Sequence, residues 1–204
     1  MAHTIFHLVR HGDHDLIGHL VAGRTPGISL NALGRAQAEA TAATLEHRPL
    51  AAIIATPLER TQETAAPLAD RCRLAIRVEE DLVDIDFGEW TMIPFDQLDR
   101  DPRWQAFNRF RSGTPIPGGE TMVAVQARAV RALLRLWREF PSGEVAIFSH
   151  GDVIKSMIMH FLGIALDFVH RIEISPGSRS VLALDEHSAK LLALNLPASV
   201  REPP

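Results

Sequence analysis

The sequence predicts an α/β protein, built as a three-layer α/β/α sandwich around a mostly parallel mixed sheet of about six strands. Two observations lead to this prediction. Short apolar runs alternate with longer segments of helical composition, which is typical of parallel strands joined by crossover helices. The last two apolar runs are separated by only a short polar segment, so they predict an antiparallel hairpin that makes the sheet mixed.

Length and composition suit one domain over residues 1–204, with a small lid or insertion around residues 91–118. The net charge of −4 gives no reason to expect nucleic acid or a membrane as partner. The single cysteine, Cys72, excludes an internal disulfide and is compatible with a reducing compartment. We found neither a signal-type segment nor an apolar run of membrane-spanning length, and therefore expect a cytoplasmic protein.

The first apolar run, Thr4 to Val9, predicts a buried strand that stops at Arg10-His11-Gly12. A turn-rich loop from Asp13 to Asn31 follows, and it leaves directly from this polar strand end. The composition of Ala32 to His47 predicts the first helix, with Asn31 as its N-cap.

The second strand is predicted over Leu50 to Ala55, where every residue is apolar. A helix is predicted from Leu58 to about Arg71, with Thr56 as its cap and Pro57 in its first turn. Arg60 then lies in that first turn, near the carboxyl end of the second strand. A guanidinium beside the N–H groups of a helix N-terminus can bind an oxyanion.

A third short strand is predicted over Leu74 to Val78. The lid region carries two short helical pieces, around Phe95–Leu98 and Arg103–Phe110, and Thr121 precedes a long helix that reaches Phe140. The period of that helix predicts a buried apolar face and an opposite, solvated stripe of arginines. The predicted buried residues are Val123, Ala127, Val130, Leu133, Leu134 and Trp137, and the predicted stripe is Arg128, Arg131, Arg135 and Arg138.

The fourth strand, Glu144 to Ser149, repeats the pattern of the first, because it ends in His150-Gly151. A helix is expected from about Val153 to Leu162. Val181–Leu184 and Leu191–Asn195 form the predicted hairpin. The tail from Leu196 to Pro204 is expected to fray.

The two histidines at strand ends suggest a common site. The carboxyl ends of parallel strands lie at one edge of a sheet, so we expect His11 and His150 to lie side by side there, accessible to solvent. A neutral imidazole is a nucleophile, and the guanidinium groups of Arg10 and Arg60 match phosphate oxygens. With a carboxylic acid from the acidic run Glu79 to Trp90, these groups meet the needs of phosphoryl transfer without a metal or cofactor.

Five segments in order resemble the histidine phosphatase superfamily, the phosphoglycerate mutase-like proteins, and within it the broad-specificity phosphatases. Arg-His-Gly alone is a weak signal, but five segments at fitting strand or helix boundaries, spanning almost the whole chain, are a strong one. The segments are Arg10-His11-Gly12, Thr56 to Thr64, Asp84 to Trp90, Gly118-Gly119-Glu120-Thr121 and Ser149-His150-Gly151.

The resemblance implies specific roles. His11 would be the nucleophile that becomes phosphohistidine, and Arg10 and Arg60 would bind the phosphoryl oxygens. His150 would be the second histidine, donating to the transferred group, and Gly151 would adjoin the substrate. The substrate would be a small phosphomonoester, with neither metal nor cofactor. The family includes monomers and dimers, so a homodimer is left open.

The proton donor departs from the family pattern. The family usually has Glu four residues before the Gly of this segment, whereas this sequence has Asp84. Asp is one methylene shorter, so either the backbone lies closer to the phosphate or another carboxylate takes over. We prefer Asp84 and keep Asp86 and Glu89 as the alternatives.

A second departure concerns binding of the phosphate. Many members have Asn five residues after the Gly of Arg-His-Gly, and Ile17 at that position has no side-chain donor. We expect Arg24 or Thr25, from the loop after the first strand, to supply the missing donor.

Three other functions are alternatives to hydrolysis. A mutase that transfers the phosphoryl group to another alcohol would need water excluded, and the modest segment between Trp90 and Gly118 favours hydrolysis instead. A phosphate-binding module without turnover is favoured by the departures at Asp84 and Ile17. A metal-binding protein is suggested by the spacing of His7, His11 and His14, although His7 lies too far along a strand to share an ion with His11.

Overall fold

The computed structural model describes residues 3–198, so most of the tail predicted to fray lies outside the described residues. Six strands form one sheet in the order β3-β2-β4-β1-β5-β6, parallel from β3 to β1 and antiparallel from β1 to β6. The predicted mixed sheet is confirmed. Its strands are β1 (Thr4–Arg10), β2 (Leu50–Ala55), β3 (Ile76–Val78), β4 (Glu144–Ser149), β5 (Arg179–Leu184) and β6 (Ala189–Leu196).

Helices cover both faces of the sheet, as the predicted three layers require. Adjacent strand residues point to opposite faces: Ile54 packs in the cluster that contains α5 and α6, and Ile53 packs in the cluster that contains α1 and α2. No helix among residues 3–198 is long and apolar enough to cross a membrane. The helices are α1 (Ala32–Leu45), α2 (Glu59–Cys72), α3 (Phe95–Leu98), α4 (Pro102–Arg109), α5 (Met122–Glu139) and α6 (Gly151–Leu162).

The cap predicted for α2 is wrong. The helix begins at Glu59, and Leu58 occupies the N-cap position with extended backbone, which leaves Pro57 outside the first turn. The Thr56 hydroxyl bonds the Thr61 hydroxyl at 2.8 Å and the His150 ring at 3.1 Å. Arg60 does lie in the first turn of α2, and its side chain is fully buried.

The face predicted for α5 is partly wrong. Val123 is 51% exposed and Ala127 is exposed, whereas Arg128, assigned to the solvated stripe, is buried. Arg128 tolerates burial because its guanidinium donates to the carbonyl oxygen of Val83 at 2.7 Å and to Glu120 at 2.9 Å. The buried face is instead set by Met122, Val125, Ala129, Val130, Ala132, Leu133 and Leu136.

The register of β1 and β4 brings the two histidine-bearing strand ends together. Arg10 pairs with Ser149, so His11 and His150 follow at adjacent points of the same sheet edge. Gly12 lets α1 approach this edge, because a Cβ on Gly12 would lie 2.6 Å from the carbonyl oxygen of Gly34. The topology therefore places both imidazoles where the sequence predicts them.

Candidate active site

A cavity of about 310 Å³ opens at the carboxyl edge of the sheet. The loop after β1, the acidic segment after β3, helix α4 and the start of α6 form its walls. One group of lining residues carries the predicted chemistry, namely Arg10, His11, Arg60, Asp84, His150 and Gly151. The structure thus brings together six of the eight predicted site residues.

The His11 ring is held in a defined tautomer. Its Nδ1 lies 2.8 Å from the carbonyl oxygen of Gly12, which can only accept, so Nδ1 carries the proton. The lone pair is then on Nε2. Burial lowers the pKa of His11 well below its ordinary value, and the charges of Arg10 and Arg60 lower it further. His11 is therefore neutral and nucleophilic at neutral pH.

The His150 ring lies beside that of His11, with 5.3 Å between ring centroids. Its Nε2 is 3.1 Å from the Thr56 hydroxyl, and its Nδ1 is 3.4 Å from Nη2 of Arg60. Burial and then the Arg60 charge lower the pKa of His150 well below its ordinary value. Both rings are less accessible than predicted, at 4% and 1% exposure, yet both line the cavity.

The guanidinium groups of Arg10 and Arg60 lie beside this pair of rings, and in the part of the chain that the structure describes each has N–H donors without a partner. Arg10 donates from Nη1 to the Ile174 carbonyl oxygen at 2.7 Å, and Arg60 donates from Nη2 to the Gly23 carbonyl oxygen at 2.7 Å. Within residues 3–198, Nε of Arg10 and both Nε and Nη1 of Arg60 are buried without a hydrogen-bond partner. Buried unpaired donors of this kind are costly, and an oxyanion in the cavity would satisfy them.

The carboxyl group of Asp84 lies beside both Arg60 and His150. One carboxylate oxygen is 3.1 Å from Nη2 of Arg60 and 3.6 Å from Nδ1 of His150. Burial raises the pKa of Asp84 even though the Arg60 charge opposes the shift, which favours a protonated acid. The alternatives are not among the cavity-lining residues: Asp86 accepts from the Gly88 amide, and Glu89 pairs with Arg103 at the surface.

Arg24 and Thr25, predicted to donate to phosphate, are not among the residues that line the cavity. The Arg24 guanidinium is already committed, since it pairs with Glu120 at 2.8 Å and donates to the Asp84 carbonyl oxygen at 2.9 Å. Together with Arg128, which donates to the same carbonyl at 3.0 Å, Arg24 fixes the backbone that carries Asp84.

His14 also belongs to this cavity, although no sequence pattern assigned it there. Its ring stacks on that of His11 at 5.2 Å between centroids, and it lines the cavity. The Leu16 amide donates to Nδ1 of His14 at 3.3 Å, which leaves an N–H on Nε2. Burial lowers the pKa of His14 to about 4. Its only sequence signal is the spacing from His11, which is equally typical of a pair of metal ligands.

The arrangement has a clear chemical capacity. A nucleophilic nitrogen, unpaired cationic donors and the half-buried carboxyl group of Asp84 surround one small cavity. Among residues 3–198, no three side chains of His, Cys, Asp or Glu converge as a metal-ligand set. Two imidazoles and two guanidinium groups at the sheet edge therefore form a site with the chemistry to bind a phosphoryl group next to a nucleophilic nitrogen.

The chain belongs to the histidine phosphatase superfamily (branch 1), whose family model matches residues 6–197. It is 39% identical over 165 residues to Uncharacterized protein Rv0525 of Mycobacterium tuberculosis, covering 78% of this chain and 79% of the relative. It is 30% identical over 160 residues to the glucosyl-3-phosphoglycerate phosphatase of that species, covering 74% and 71%. The alpha-ribazole phosphatase structure from Shigella flexneri has the same fold, with a TM-score of 0.85, 23% identity, and coverage of 98% and 100%.

Proposed function

We propose that the protein is a phosphomonoesterase that hydrolyses small phosphorylated metabolites through a phosphohistidine on His11, without a metal. The observation that carries the proposal is the His11 tautomer: the Gly12 carbonyl holds Nδ1–H and leaves the Nε2 lone pair beside the unpaired donors of Arg10 and Arg60. The cavity volume of about 310 Å³ suits a small molecule. Phosphatases among the relatives support the same reaction class.

The first half-reaction transfers the phosphoryl group to the protein. The Nε2 lone pair of His11 forms a bond to phosphorus while the bond from phosphorus to the leaving oxygen breaks. Asp84 gives its proton to that oxygen, so the alcohol departs neutral and the carboxylate remains. Arg10 and Arg60 stabilise the charge that develops on the phosphoryl oxygens.

The second half-reaction regenerates the protein. Water attacks phosphorus, the Asp84 carboxylate takes a proton from it, and the bond from Nε2 of His11 to phosphorus breaks. Inorganic phosphate leaves, and both residues return to their starting states. The Thr61 hydroxyl donates to the Leu58 carbonyl oxygen, so the Thr56 hydroxyl donates to Thr61 and accepts Nε2–H from His150. Nδ1 of His150 then accepts from Nη2 of Arg60, and these two contacts hold the second ring beside that of His11.

The Nε2–H of His14 donates to the phosphoryl group, a role that the apolar side chain of Ile17 cannot fill. We expect His14→Ala to lower kcat/KM roughly tenfold and to weaken competitive inhibition by inorganic phosphate to a similar degree, which is the loss of one hydrogen bond. His14→Gln keeps an N–H donor and should recover part of both. Unchanged phosphate inhibition in His14→Ala would remove His14 from the phosphate site.

Phosphate release from an aryl phosphate tests the proposed activity. The wild-type protein, dialysed against a chelator, should release phosphate at its full rate. Activity that disappears and returns with added metal would contradict the metal-free mechanism. Saturable phosphate binding without any release would favour a binding module. Transfer to an added alcohol in place of phosphate release would favour the mutase-type reaction.

The pH profile of kcat/KM should have an alkaline limb set by Asp84 and an acidic limb that lies below the ordinary pKa of histidine. His11 must be neutral, and its pKa lies below the ordinary 6.5, so activity persists below that pH. Asp84 must be protonated, and its pKa lies above the ordinary 3.8, so activity falls as pH rises past that raised pKa. Asp84→Asn should lose the alkaline limb, while ionisation of the substrate stays the same. A wild-type profile that rises to an alkaline plateau would contradict these assignments.

A further inference from the structure

We propose that Arg128, assisted by Arg24, is a positioning residue that holds the proton donor Asp84 in place for transfer to the leaving oxygen. The inference rests on the proposed function and deepens it, because it names what sets the geometry of the acid. Arg128 lies on α5 and is buried. The described residues that line the cavity include neither arginine, so both act on the reaction through the backbone that carries Asp84.

The backbone around Asp84 has little regular structure of its own. A single 3-10 turn over Glu80–Leu82 precedes it, and the next such turn, Gly88–Trp90, follows it. Between these turns the chain relies on side chains, which donate hydrogen bonds to the carbonyl oxygens of the four consecutive residues 81–84. Ser149 supplies the bond to residue 82, and arginines supply the others. The position of this backbone therefore depends on those donors.

One guanidinium holds three of these four carbonyl oxygens. Nη1 of Arg128 donates to Asp81 at 2.8 Å and to Val83 at 2.7 Å. Nη2 donates to the carbonyl oxygen of Asp84 at 3.0 Å. The remaining two donors bind the two carboxylate oxygens of Glu120, at 2.9 Å from Nε and 3.0 Å from Nη2. All five N–H groups of the rigid, planar fork are thus used, and they fix the carbonyls relative to α5.

Arg24 joins the same backbone to the other side of the cavity. Its Nε donates to the Asp84 carbonyl oxygen at 2.9 Å, and its Nη2 pairs with Glu120 at 2.8 Å. The neighbouring carbonyl oxygen, that of Gly23, accepts from Nη2 of Arg60 at 2.7 Å. The loop after β1 therefore links the residue that carries the acid to the guanidinium of Arg60.

The short side chain of Asp84 makes its backbone position decisive. Oδ1 accepts from the Ile85 amide at 2.9 Å, and Oδ2 lies 3.1 Å from Nη2 of Arg60, so both oxygens are already engaged. A displacement of the backbone is then carried almost undiminished to the carboxyl group. A general acid must lie about 2.6 to 3.2 Å from the atom it protonates. A misplacement of about 1 Å can cost on the order of 100-fold in rate.

Arg128→Met tests the inference through the leaving group. Single-turnover phosphoryl transfer from an alkyl phosphate should fall roughly 10- to 100-fold, because the alkoxide loses its well-placed acid. Transfer from an aryl phosphate with an acidic phenol should fall much less. Arg24→Met should cause a smaller loss with the same selectivity, since Arg128 still binds the Asp84 carbonyl oxygen. Inhibition by inorganic phosphate should stay at the wild-type value in both variants.

A double-mutant cycle separates positioning from a general loss of structure. In the Asp84→Asn background, Arg128→Met should change the alkyl rate less than roughly twofold, because there is no acid left to position. A purely structural role would lower the rate by the same factor in both backgrounds. Arg135→Met is the matched control and should keep the wild-type ratio of alkyl to aryl rates. Arg135 lies about two turns further along α5, and its donors bind the side chains of Glu79 and Asp81.

The outcomes separate the positioning role from the activity. Equal losses with alkyl and aryl phosphates, or equal losses with and without the Asp84 carboxyl group, would overturn the role of Arg128 while the phosphatase activity stands. If Arg128→Met does not fold, the 37% exposed Arg24 decides, and a wild-type ratio in Arg24→Met would overturn the inference. No hydrolysis of either ester by the wild type, or no selective loss in Asp84→Asn itself, would contradict the proposed function and the inference with it.

Discussion

Replacing His11 with Ala should abolish phosphate release, lowering kcat by at least roughly 1,000-fold, as expected when a covalent nucleophile is removed. The loss should be this large because the remaining site residues assist the attack of Nε2 on phosphorus and cannot replace it. In the proposed mechanism Arg10 and Arg60 bind and stabilise the phosphoryl group, but neither offers a lone pair to phosphorus. Initial rates on an aryl phosphate measure the effect.

His47→Ala is the matched control, because the side chain of His47 is 88% exposed and lies outside the cavity lining. It should keep the wild-type rate. Inorganic phosphate should still bind His11→Ala, since the guanidinium donors remain. Substantial turnover by folded His11→Ala protein would show that another group attacks phosphorus.

Replacing Asp84 with Asn should give the second large effect, and its size should depend on the leaving group. For an alkyl phosphate, whose alkoxide needs a proton, we expect kcat to fall roughly 100- to 10,000-fold, the range of general acid catalysis. For an aryl phosphate with an acidic phenol, the transfer to His11 should fall much less. Single-turnover rates on both substrates separate this step from hydrolysis of the phosphoprotein.

Glu89→Gln and Asp86→Asn are the controls for this assignment. Glu89 pairs with Arg103 at the surface, and Asp86 bonds the Gly88 amide, so neither change removes a carboxylate from the cavity lining. Both variants should keep the leaving-group dependence of the wild type. If Glu89→Gln instead shows the selective loss with alkyl phosphates, the proton donor is Glu89.

β1, β2 and β4 were predictable because each is a short apolar run with a clear stop, whereas β3 is two residues shorter than predicted, β5 begins two residues earlier and β6 extends past both predicted ends. β2 and β4 have the predicted bounds, and β1 extends one residue further. The carboxyl ends of parallel strands lie at one edge of the sheet, and the observed pairing of β1 with β4 brings His11 and His150 together there. The centre of the site could therefore be derived from local patterns.

The remaining parts of the site depend on contacts that no local pattern encodes. Arg128 has the spacing of a surface residue, but backbone carbonyls of the acidic segment make its burial favourable. Arg24 belongs to the loop after β1, from which its side chain could have reached the cavity. Its ion pair with Glu120 instead keeps the guanidinium outside the cavity lining. The side chain of Thr56 caps no helix because it bonds Thr61 and His150. Arg128 and Arg24 are thus placed by partners distant in sequence, and Thr56 is placed by Thr61 together with the distant His150.

The most direct test of the account is to trap the phosphoprotein. Wild-type protein mixed with a radiolabelled phosphomonoester and quenched within one turnover should carry an acid-labile, alkali-stable label, located by peptide mapping on Nε2 of His11. Phosphate release at the full rate without any labelled protein, or with the label on another residue, would contradict the mechanism.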